Sequence, residues 1–376
     1  MKNIIERFNI MTVTENSVHV TVKMKTYCKA TLYAEGEGEN FKDVRIEDNN
    51  LHRFIIKRLK PGRDYILGLY VDKNFICKKP VRTLPKSEGK ILKKFAILAD
   101  IHYSVKNENR KGRLFIEIPL ILNEIVDELN KNKFDFVVCP GDLTNEGLEE
   151  EYKGVKDILD KLNMPYYPVV GDHDAKYITG KRLDGTHIYS ANNLCKDRKL
   201  WNKYFGKKAT TCIKKQGISF IKLDTSTLAL PKEQQNWLCN ELENAKDKVL
   251  ILSHHQLFPD SYILDENKII KNHKELRPLL EKYSDKIRAI YVGHKNVASR
   301  CYLDTIMQLN CPQISQFPCG YLAVRIYKNG WYHNFVDIKS EYLNESSRID
   351  AHSLKQDIWN WKYRLGRNYK QWNFVY

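Results

Sequence analysis

Paired cysteines and long apolar runs are both missing from this chain. Its 376 residues include nine cysteines, an odd number, and no two of them form a Cys-x-x-Cys pair. This excludes a disulfide framework and a structural zinc site as first interpretations, and it favours a reducing compartment. No apolar run reaches the length of about eighteen residues that a membrane-spanning helix needs, so no membrane span is predicted.

Signal-peptide character and internal repeats are also lacking. Glu6, Arg7 and Glu15 interrupt the apolar core that a signal peptide requires, and no small-residue cleavage site follows. We therefore expect a cytoplasmic protein. The sequence has no low-complexity segment, and its 42% hydrophobic and 29% charged residues are typical of a globular chain that buries a core.

The net charge is strongly positive, with 62 Lys and Arg against 46 Asp and Glu, which gives +16. Such a charge is compatible with nucleic acid, an anionic surface or a solvated basic exterior. The excess is spread thinly, since residues 1–90 hold 18 basic and 11 acidic residues. Charge therefore leaves nucleic-acid binding open without supporting it.

The pattern of the first ninety residues predicts β-strands. Apolar residues alternate with polar ones from Val18 to Met24 and again from Tyr65 to Val71, which predicts half-buried strands. Leu59-Lys60-Pro61-Gly62 lies between them as a turn signal. The pattern Leu59-x-Pro61-Gly62-x-x-Tyr65 resembles a fibronectin type III domain, which implies a small β-sandwich over residues 1–88.

The pattern changes after a linker at residues 85–90. Short apolar runs alternate with helical patterns, such as that of Leu122, Ile125, Val126 and Leu129, which predicts an α/β domain. Buried strands are predicted at 95–99, 134–139, 166–170, 218–223, 249–252 and 290–292. A helix is predicted to begin at Pro231.

Aspartate or histidine follows most of these strands. The segments are Asp100-Ile-His102, Gly141-Asp142, Gly171-Asp172-His173-Asp174, His254-His255 and Gly293-His294. Ligands of open α/β sheets bind beyond the carboxyl ends of the strands, so these side chains are expected to converge. Singly, each residue also fits a helix cap or a surface histidine. As a group they predict oxygen and imidazole ligands for Mn, Fe or Zn, and an aspartate that bridges two ions.

These five segments resemble the signature of calcineurin-like metallophosphoesterases, and the similarity spans residues 95–336. With the N-terminal β-sandwich, the layout is similar to that of purple acid phosphatases and related bacterial phosphoesterases. The resemblance implies a four-layer α/β/β/α sandwich over residues 91–340. Gly141-Asp-Leu-Thr-Asn145 lacks the tyrosine that purple acid phosphatases place three residues after the aspartate, so a purple iron centre is not expected.

Carried onto this chain, the resemblance implies two divalent metal ions. Asp100, His102 and Asp142 would hold the first ion, and Asp142, Asp172, His254 and His294 the second. A hydroxide bridging the ions would attack phosphorus. The resemblance also implies that His173, oriented by Asp174, assists the leaving group, and that His255 faces either the substrate or the residues around the ligands.

Two positions depart from the family pattern. Asp172 stands where the family usually has asparagine, and Asn296 stands where it usually has the second histidine of Gly-His-x-His. A neutral amide oxygen at Asn296 predicts a weaker first site, and the added charge of Asp172 predicts a tighter second one. We expect a site more tolerant of Mn or Mg.

Residues 341–376 form a predicted helical and aromatic extension. Leu354, Ile358, Trp361 and Leu365 have helical spacing, and the stretch 360–376 carries four basic residues and no acidic one. Basic residues among aromatics can bind single-stranded nucleic acid. An apolar stripe at helical spacing more often packs on its own domain, and we expect that here.

The sequence thus predicts a hydrolase of small phosphate mono- or diesters. A non-catalytic binding protein on the same scaffold and a nuclease of the same superfamily remain as alternatives. Substrate and oligomeric state are not determined by these residues.

Overall fold

The computed structural model describes residues 4–36, 38–176, 178–181, 187–189, 198–215, 217–261, 269–352, 361–366 and 369–376. These residues form two compact units. One comprises Met1–Lys94, Leu322–Glu341 and Arg367–Tyr376, and the other comprises Phe95–Tyr321 and Tyr342–Gly366. The division of the chain into 1–88, 91–340 and 341–376 stays a prediction.

The N-terminal part of the first unit is an antiparallel sheet. Its strands are β1 (Ile5–Val13), β2 (Ser17–Gly36), β3 (Glu39–Lys57), β4 (Asp64–Val71) and β5 (Asn74–Arg82). The long strand β2 pairs with β1, β3 and β4, and β4 pairs with β5. The predicted all-β region is confirmed, with β2 far longer than its alternating segment suggested.

The predicted alternation places one face of β2 in the core. Val18, Val20, Val22 and Met24 are fully buried and pack with Phe54 of β3. After the 59–62 turn, the Tyr65 hydroxyl accepts a hydrogen bond of 2.8 Å from the backbone N–H of Lys60. Such a tyrosine contact occurs in immunoglobulin-like sandwiches. The narrower fibronectin type III assignment stays a prediction.

The second unit begins with a parallel β–α pattern. Strands β6 (Lys93–Ile97), β7 (Phe136–Cys139) and β8 (Tyr166–Pro168) pair in parallel, with helices α1 (Ile118–Lys131) and α2 (Glu149–Leu159) in the connections. A short hairpin of β9 (Ile178–Lys181) and β10 (His187–Tyr189) and helix α3 (Lys199–Phe205) follow.

A six-stranded mixed sheet completes this unit. It contains β11 (Thr211–Lys215), β12 (Ile218–Lys222), β13 (Lys248–Leu252), β14 (Ile287–Val292), β15 (Ser299–Leu303) and β16 (Ile306–Asn310). The order is β11-β12-β13-β14-β16-β15, and the four central strands are parallel. Helices α4 (Lys232–Glu243) and α5 (His273–Lys282) bury leucines against this sheet.

Aromatic side chains join the faces of the two sheets inside the second unit. The Phe136 ring lies 4.9 Å from that of Phe220, and the Phe95 ring lies 5.9 Å from that of Tyr291, both edge to face. Strands that are buried on both faces need apolar residues at every position. This explains why the sequence runs that predicted these strands are continuously apolar and do not alternate with polar residues. The predicted four-layer α/β/β/α sandwich is confirmed.

The C-terminal part of the chain contains helices α6 (Glu341–His352) and α7 (Trp361–Arg364). Two residues of the predicted helical stripe, Leu354 and Ile358, lie outside the described residues. In the first unit, β17 (Gly320–Tyr327), β18 (Gly330–Asp337) and β19 (Phe374–Val375) complete the strands. The Trp372 ring is buried, with its centre 4.7 Å from that of Phe335 in the first unit, and the packing of the extension on the catalytic domain stays a prediction. Among the described residues, no helix is long and apolar enough to cross a bilayer.

Candidate metal centre

The residues singled out in the sequence lie at the carboxyl ends of parallel strands in the second unit. Asp100 and His102 follow β6, and Asp142 follows β7. The remaining members follow β8, β13 and β14: Asp172, His173, Asp174, His254, His255, His294 and Asn296. The structure brings ligand atoms of these loops into three overlapping groups, each spanning less than 4.8 Å: Asp172, His254, His255 and His294; His102, Asp142 and His173; and Asp100, Asp142 and His254.

The loop backbones are strained where these side chains turn inwards. Positive φ angles occur at five candidate ligands: Asp100 (49°), His102 (48°), Asp142 (52°), His294 (68°) and Asn296 (54°). Aspartate, asparagine and histidine tolerate this left-handed region better than branched residues do. Strained backbone persists where the surrounding structure fixes it, and it concentrates at functional sites.

Two glycines allow the strand ends to approach each other. A Cβ on Gly171 would lie 2.2 Å from Asp142 Oδ1, and a Cβ on Gly293 would lie 2.5 Å from Asp100 Oδ2. Each glycine directly precedes a candidate ligand. Any side chain at either position would therefore displace a carboxylate of the site.

Asp172 is at the centre of one ligand group. Its Oδ1 atom lies 2.9 Å from His254 Nε2, 3.1 Å from His294 Nδ1 and 3.7 Å from His255 Nε2. His254 Nε2 also lies 3.3 Å from Asp142 Oδ2. Three imidazoles and two carboxylates thus share a space in which one ion can bind several of them.

Asp142 connects this group to the other one. Its Oδ2 atom is 3.5 Å from His102 Nε2, while its Oδ1 atom accepts a hydrogen bond of 2.9 Å from the backbone N–H of His173. Asp100 accepts hydrogen bonds of 2.8 and 3.0 Å from the backbone N–H of His294. Asp142 is therefore the carboxylate placed to bridge two ions.

Several buried polar atoms of the site make no hydrogen bond to the described residues. Both ring nitrogens of His102 and the amide oxygen of Asn296 are buried and make no hydrogen bond within the part of the chain that the structure describes. Such atoms are costly unless something else binds them. The donor set therefore fits metal ions, which would take these lone pairs.

The pKa values of the cluster show how strongly it needs positive charge. Burial raises the pKa of Asp100 to about 8. Burial alone would lower the pKa of His254, but the Asp142 and Asp172 carboxylates outweigh it and raise that pKa well above its usual value. A bound cation would replace this proton, because opposite charge stabilises the ionised carboxylates.

The second ring nitrogen of His254, Nδ1, also has a partner in the protein. Its Nδ1 atom lies 2.9 Å from the carbonyl oxygen of Pro140, to which it can donate, so that Nε2 faces the carboxylates. Ligand imidazoles in metal sites are usually held in this way by their second nitrogen. This contact supports His254, and not its neighbour His255, as the ligand.

His173 and Asp174 are close in sequence but have different partners. Asp174 accepts hydrogen bonds from Gly171, Leu143 and Thr144, while His173 Nδ1 lies 2.5 Å from the carbonyl oxygen of Asn145. The predicted direct orientation of His173 by Asp174 is therefore wrong. Asp174 instead ties together the loops that carry Asp142 and Asp172.

Two cationic residues near the site were missed by the sequence reasoning. Lys176 Nζ lies 2.8 Å from His173 Nδ1. Arg113 interacts electrostatically with Asp142, Asp100 and Asp172, although burial lowers its pKa. Lysine and arginine are abundant in this chain, so neither stood out. The one available signal was the position of each residue in a loop that follows a ligand motif.

The comparisons with known proteins agree with this geometry. Residues 93–297, more than half of the chain, match the family of calcineurin-like phosphoesterases. The chain is similar to a probable glycerophosphodiester phosphodiesterase of Arcobacter nitrofigilis, with 25% identity over 267 residues that cover 68% of this chain and 86% of the relative. It is also similar to a 3′,5′-cyclic adenosine monophosphate phosphodiesterase of Haemophilus influenzae, with 25% identity over 215 residues, 56% of this chain and 73% of that protein.

A solved structure shares the fold. A dimetal phosphatase from Danio rerio superposes with a TM-score of 0.51 at 14% identity, covering 65% of this chain and 96% of that one. Family match, fold and ligand clusters lead to the same conclusion. The chain therefore belongs to the calcineurin-like phosphoesterase family, and it is a metal-dependent phosphoesterase with ligand clusters for two divalent ions.

Proposed function

We propose that the protein hydrolyses small phosphodiesters. The observation that carries this proposal is the position of Asp142, whose two carboxylate oxygens lie between His102 and His254 and next to the backbone of His173. A carboxylate shared by two ions is the core of a two-metal hydrolytic site. The preference for diesters is supported by relatives that are named as phosphodiesterases.

We give each ion the ligand set that the family resemblance implies. The first ion would bind Asp100, His102, Asp142 and Asn296, and the second Asp142, Asp172, His254 and His294. The first set has one imidazole and the second has two, so nitrogen-preferring ions such as Zn or Fe suit the second site. The oxygen-rich first set suits Mn.

The bound ions supply positive charge for the phosphate and lower the pKa of a coordinated water. The side chains of this protein perform the remaining steps. In hydrolysis a water oxygen becomes bonded to phosphorus, the ester P–O bond breaks, and the leaving oxygen takes up a proton. We assign the donation of that proton to Nε2 of His173, on the ring side away from Asn145.

His255 is the second histidine that we place near the substrate. Its ring is fully buried, makes no hydrogen bond to the described residues, and lies 4.3 Å from the ring centre of His294. Burial lowers the pKa of His255 well below its usual value, so the ring is neutral. A neutral ring N–H can donate to a non-bridging phosphate oxygen.

The test measures metals and turnover on the same preparation. We expect about two divalent ions per chain and hydrolysis of bis(p-nitrophenyl) phosphate and glycerophosphodiesters, with slower hydrolysis of p-nitrophenyl phosphate. Asp142→Asn should abolish both metal binding and turnover. Asp127→Asn, on the exposed face of α1, is the matched control. Retention of two ions without turnover of any ester would instead support the non-catalytic alternative.

The nuclease alternative rests on the positive charge and the basic C-terminal stretch. Two aromatic residues of that stretch, Trp372 and Phe374, are buried, with 1% and 5% of their surfaces exposed, which speaks against base stacking on them. Affinity for single-stranded DNA that falls steeply with salt would restore this alternative. We expect weak binding without sequence preference.

A further inference from the structure

We propose that Asp174 is a positioning residue for the second metal ion, because its carboxylate joins the loop that carries Asp172 to the loop that carries Asp142. Its loss should weaken the binding of that ion alone. This inference rests on the ligand sets of the proposed function, in which Asp172 serves only the second ion and Asp142 serves both. It concerns metal affinity and does not depend on turnover.

The carboxylate of Asp174 contacts both loops. The residue is buried, with 5% of its surface exposed. Its Oδ1 atom accepts hydrogen bonds of 2.8 Å from the backbone N–H and from the hydroxyl of Thr144. Its Oδ2 atom accepts a hydrogen bond of 2.9 Å from the backbone N–H of Gly171 and a longer one of 3.3 Å from that of Leu143. One buried carboxylate therefore holds two loops at once.

The loop that carries Asp142 is attached differently to the loop of the first motif. The backbone N–H of His102 donates to the carbonyl oxygen of Asp142, and that of Tyr103 donates to the carbonyl oxygen of Leu143, both at 2.9 Å. The backbone N–H of Asn145 donates in turn to the carbonyl oxygen of Tyr103 at 2.9 Å. Such backbone pairing needs no side chain. These two loops, which carry ligands of the first ion, should therefore keep their positions without Asp174.

The attachment of the loop that carries Asp172 depends on side chains instead. Within the described part of the chain, no backbone-to-backbone hydrogen bond joins residues 141–145 to residues 170–174. Asp174 holds Gly171, which directly precedes Asp172. Three further contacts between these loops do not involve Gly171: the His173 N–H with Asp142 Oδ1, and both His173 Nδ1 and Lys176 Nζ with the carbonyl oxygen of Asn145.

Loss of the Asp174 carboxylate should therefore act unequally on the two ions. A ligand that the protein does not hold must be ordered when the ion binds, and the lost entropy lowers the affinity. Residues that hold metal ligands in place typically contribute roughly tenfold to a hundredfold to metal affinity. In Asp174→Asn, an NH₂ group of similar size replaces one oxygen and faces N–H donors, so one of the two loops loses its acceptor.

Cadmium-113 NMR of the full-length protein distinguishes the two ions without turnover. With ¹⁵N-labelled histidine, the native protein should give two cadmium signals, and only that of the second ion should be coupled to two imidazole nitrogens. In Asp174→Asn, a chelator should remove this second signal at a concentration roughly tenfold to a hundredfold lower, and the first signal at an unchanged concentration. Equal weakening of both ions, or weakening of neither, would overturn the proposal. A single signal in the native protein would refute the two ligand sets and this inference with them.

Two controls separate the carboxylate contact from a general loss of packing. Thr144→Val removes only the hydroxyl donor and keeps the three N–H bonds to Asp174, so both ions should keep their native affinity. Asp157→Asn makes the same chemical change on the exposed face of α2 and should have no effect. If Thr144→Val weakened the second ion as much as Asp174→Asn, packing and not the carboxylate would be responsible, and the proposal would be wrong.

Hydrogen exchange tests the native protein directly, should Asp174→Asn not fold. Without metal, the amide hydrogens of Gly171 and Thr144 should exchange slowly, because both donate to the buried carboxylate. Rapid exchange of both would show that Asp174 does not join the loops. Turnover is a separate question: two bound ions without hydrolysis of any ester would refute the proposed function and leave the role of Asp174 in metal binding intact.

Discussion

His52 in the N-terminal sheet and His254 in the metal centre are both buried but have opposite electrostatic surroundings. Burial lowers the pKa of His52, whose ring stacks on Phe54 and contacts the Cys28 thiol at 3.8 Å. The pKa of His254 is raised well above its usual value, because two carboxylates lie within 3.3 Å of its ring. Burial alone therefore yields a neutral core histidine. Convergent carboxylates turn the same residue type into a cation-binding site.

The difference extends to the whole of each region. In the N-terminal sheet, the buried side chains are mostly apolar and support packing. In the metal centre, three aspartates and five histidines lie together, buried or partly buried, on loops whose backbone is strained at several of them. The first arrangement stabilises a fold, whereas the second one concentrates negative charge that protons or bound cations must compensate. Substitutions in the N-terminal sheet should therefore affect stability, whereas substitutions in the metal centre should affect metal binding and catalysis.

The largest effect is expected for Asp142→Ala, which removes the carboxylate between the two ligand groups. Without it the two proposed ligand sets lose their shared ligand, and both ions should be lost together with a fall in kcat/KM of about four orders of magnitude or more. Metal analysis after dialysis and steady-state kinetics measure this. If one ion remained at full occupancy, Asp142 would not be the bridge.

A cavity in the N-terminal sheet should affect stability and not chemistry. Phe54 is fully buried, and Phe54→Ala should lower the free energy of unfolding by roughly 3–5 kcal/mol. Phe75→Ala, at an exposed position of β5, is the control and should cost far less. Denaturant titrations give both values. Loss of bound metal in folded Phe54→Ala would show that the two regions are not independent.

His173→Ala should have the opposite effect to Phe54→Ala, because it should lower the rate of catalysis and leave the free energy of unfolding unchanged. The imidazole donates a proton in our proposal and holds no ion, so kcat should fall about a hundredfold while both ions stay bound. His273→Ala, in the first turn of α5, is a matched substitution away from the site. An unchanged kcat for alkyl esters would remove His173 from the reaction.

The first ion should respond to Asn296. Asn296→His replaces a buried amide oxygen by an imidazole, and the affinity of the first site should rise about tenfold because imidazole is the stronger ligand for Mn, Fe and Zn. Competition with a chelator measures the change. Equal release of both ions from the native protein and from this variant would mean that Asn296 does not bind metal.

The smallest effect concerns Lys222, a buried charge of the catalytic unit outside the ligand clusters. Burial lowers its pKa to about 8, below the value of about 10.4 in an unfolded chain, so the unfolded state binds more protons between these pH values. The stability of the native protein relative to Lys222→Met should therefore rise by about 1–3 kcal/mol from pH 8 to pH 10 and stay constant below pH 7. A difference that does not change with pH would mean that Lys222 titrates normally.

Much of the fold could be predicted from local sequence patterns. The alternation in residues 18–24 predicted a strand, and the runs at 95–99, 249–252 and 290–292 predicted buried strands, because period and length follow from local geometry. The ends of the strands were predicted less accurately. Strand β2 continues to Gly36, well past its alternating part. Pairing with β3 and β4 keeps it extended there, and that pairing depends on distant residues.

By itself, the sequence determined the kind of ligands and the order in which the strands deliver them, because aspartate and histidine at strand ends must converge on one edge of a parallel sheet. Only the tertiary structure decided which atoms meet. Asp174 binds Gly171 and Thr144 and leaves His173 to Asn145 and Lys176. Adjacent positions in a loop do not fix the direction of a side chain, since that direction depends on donors supplied by other loops.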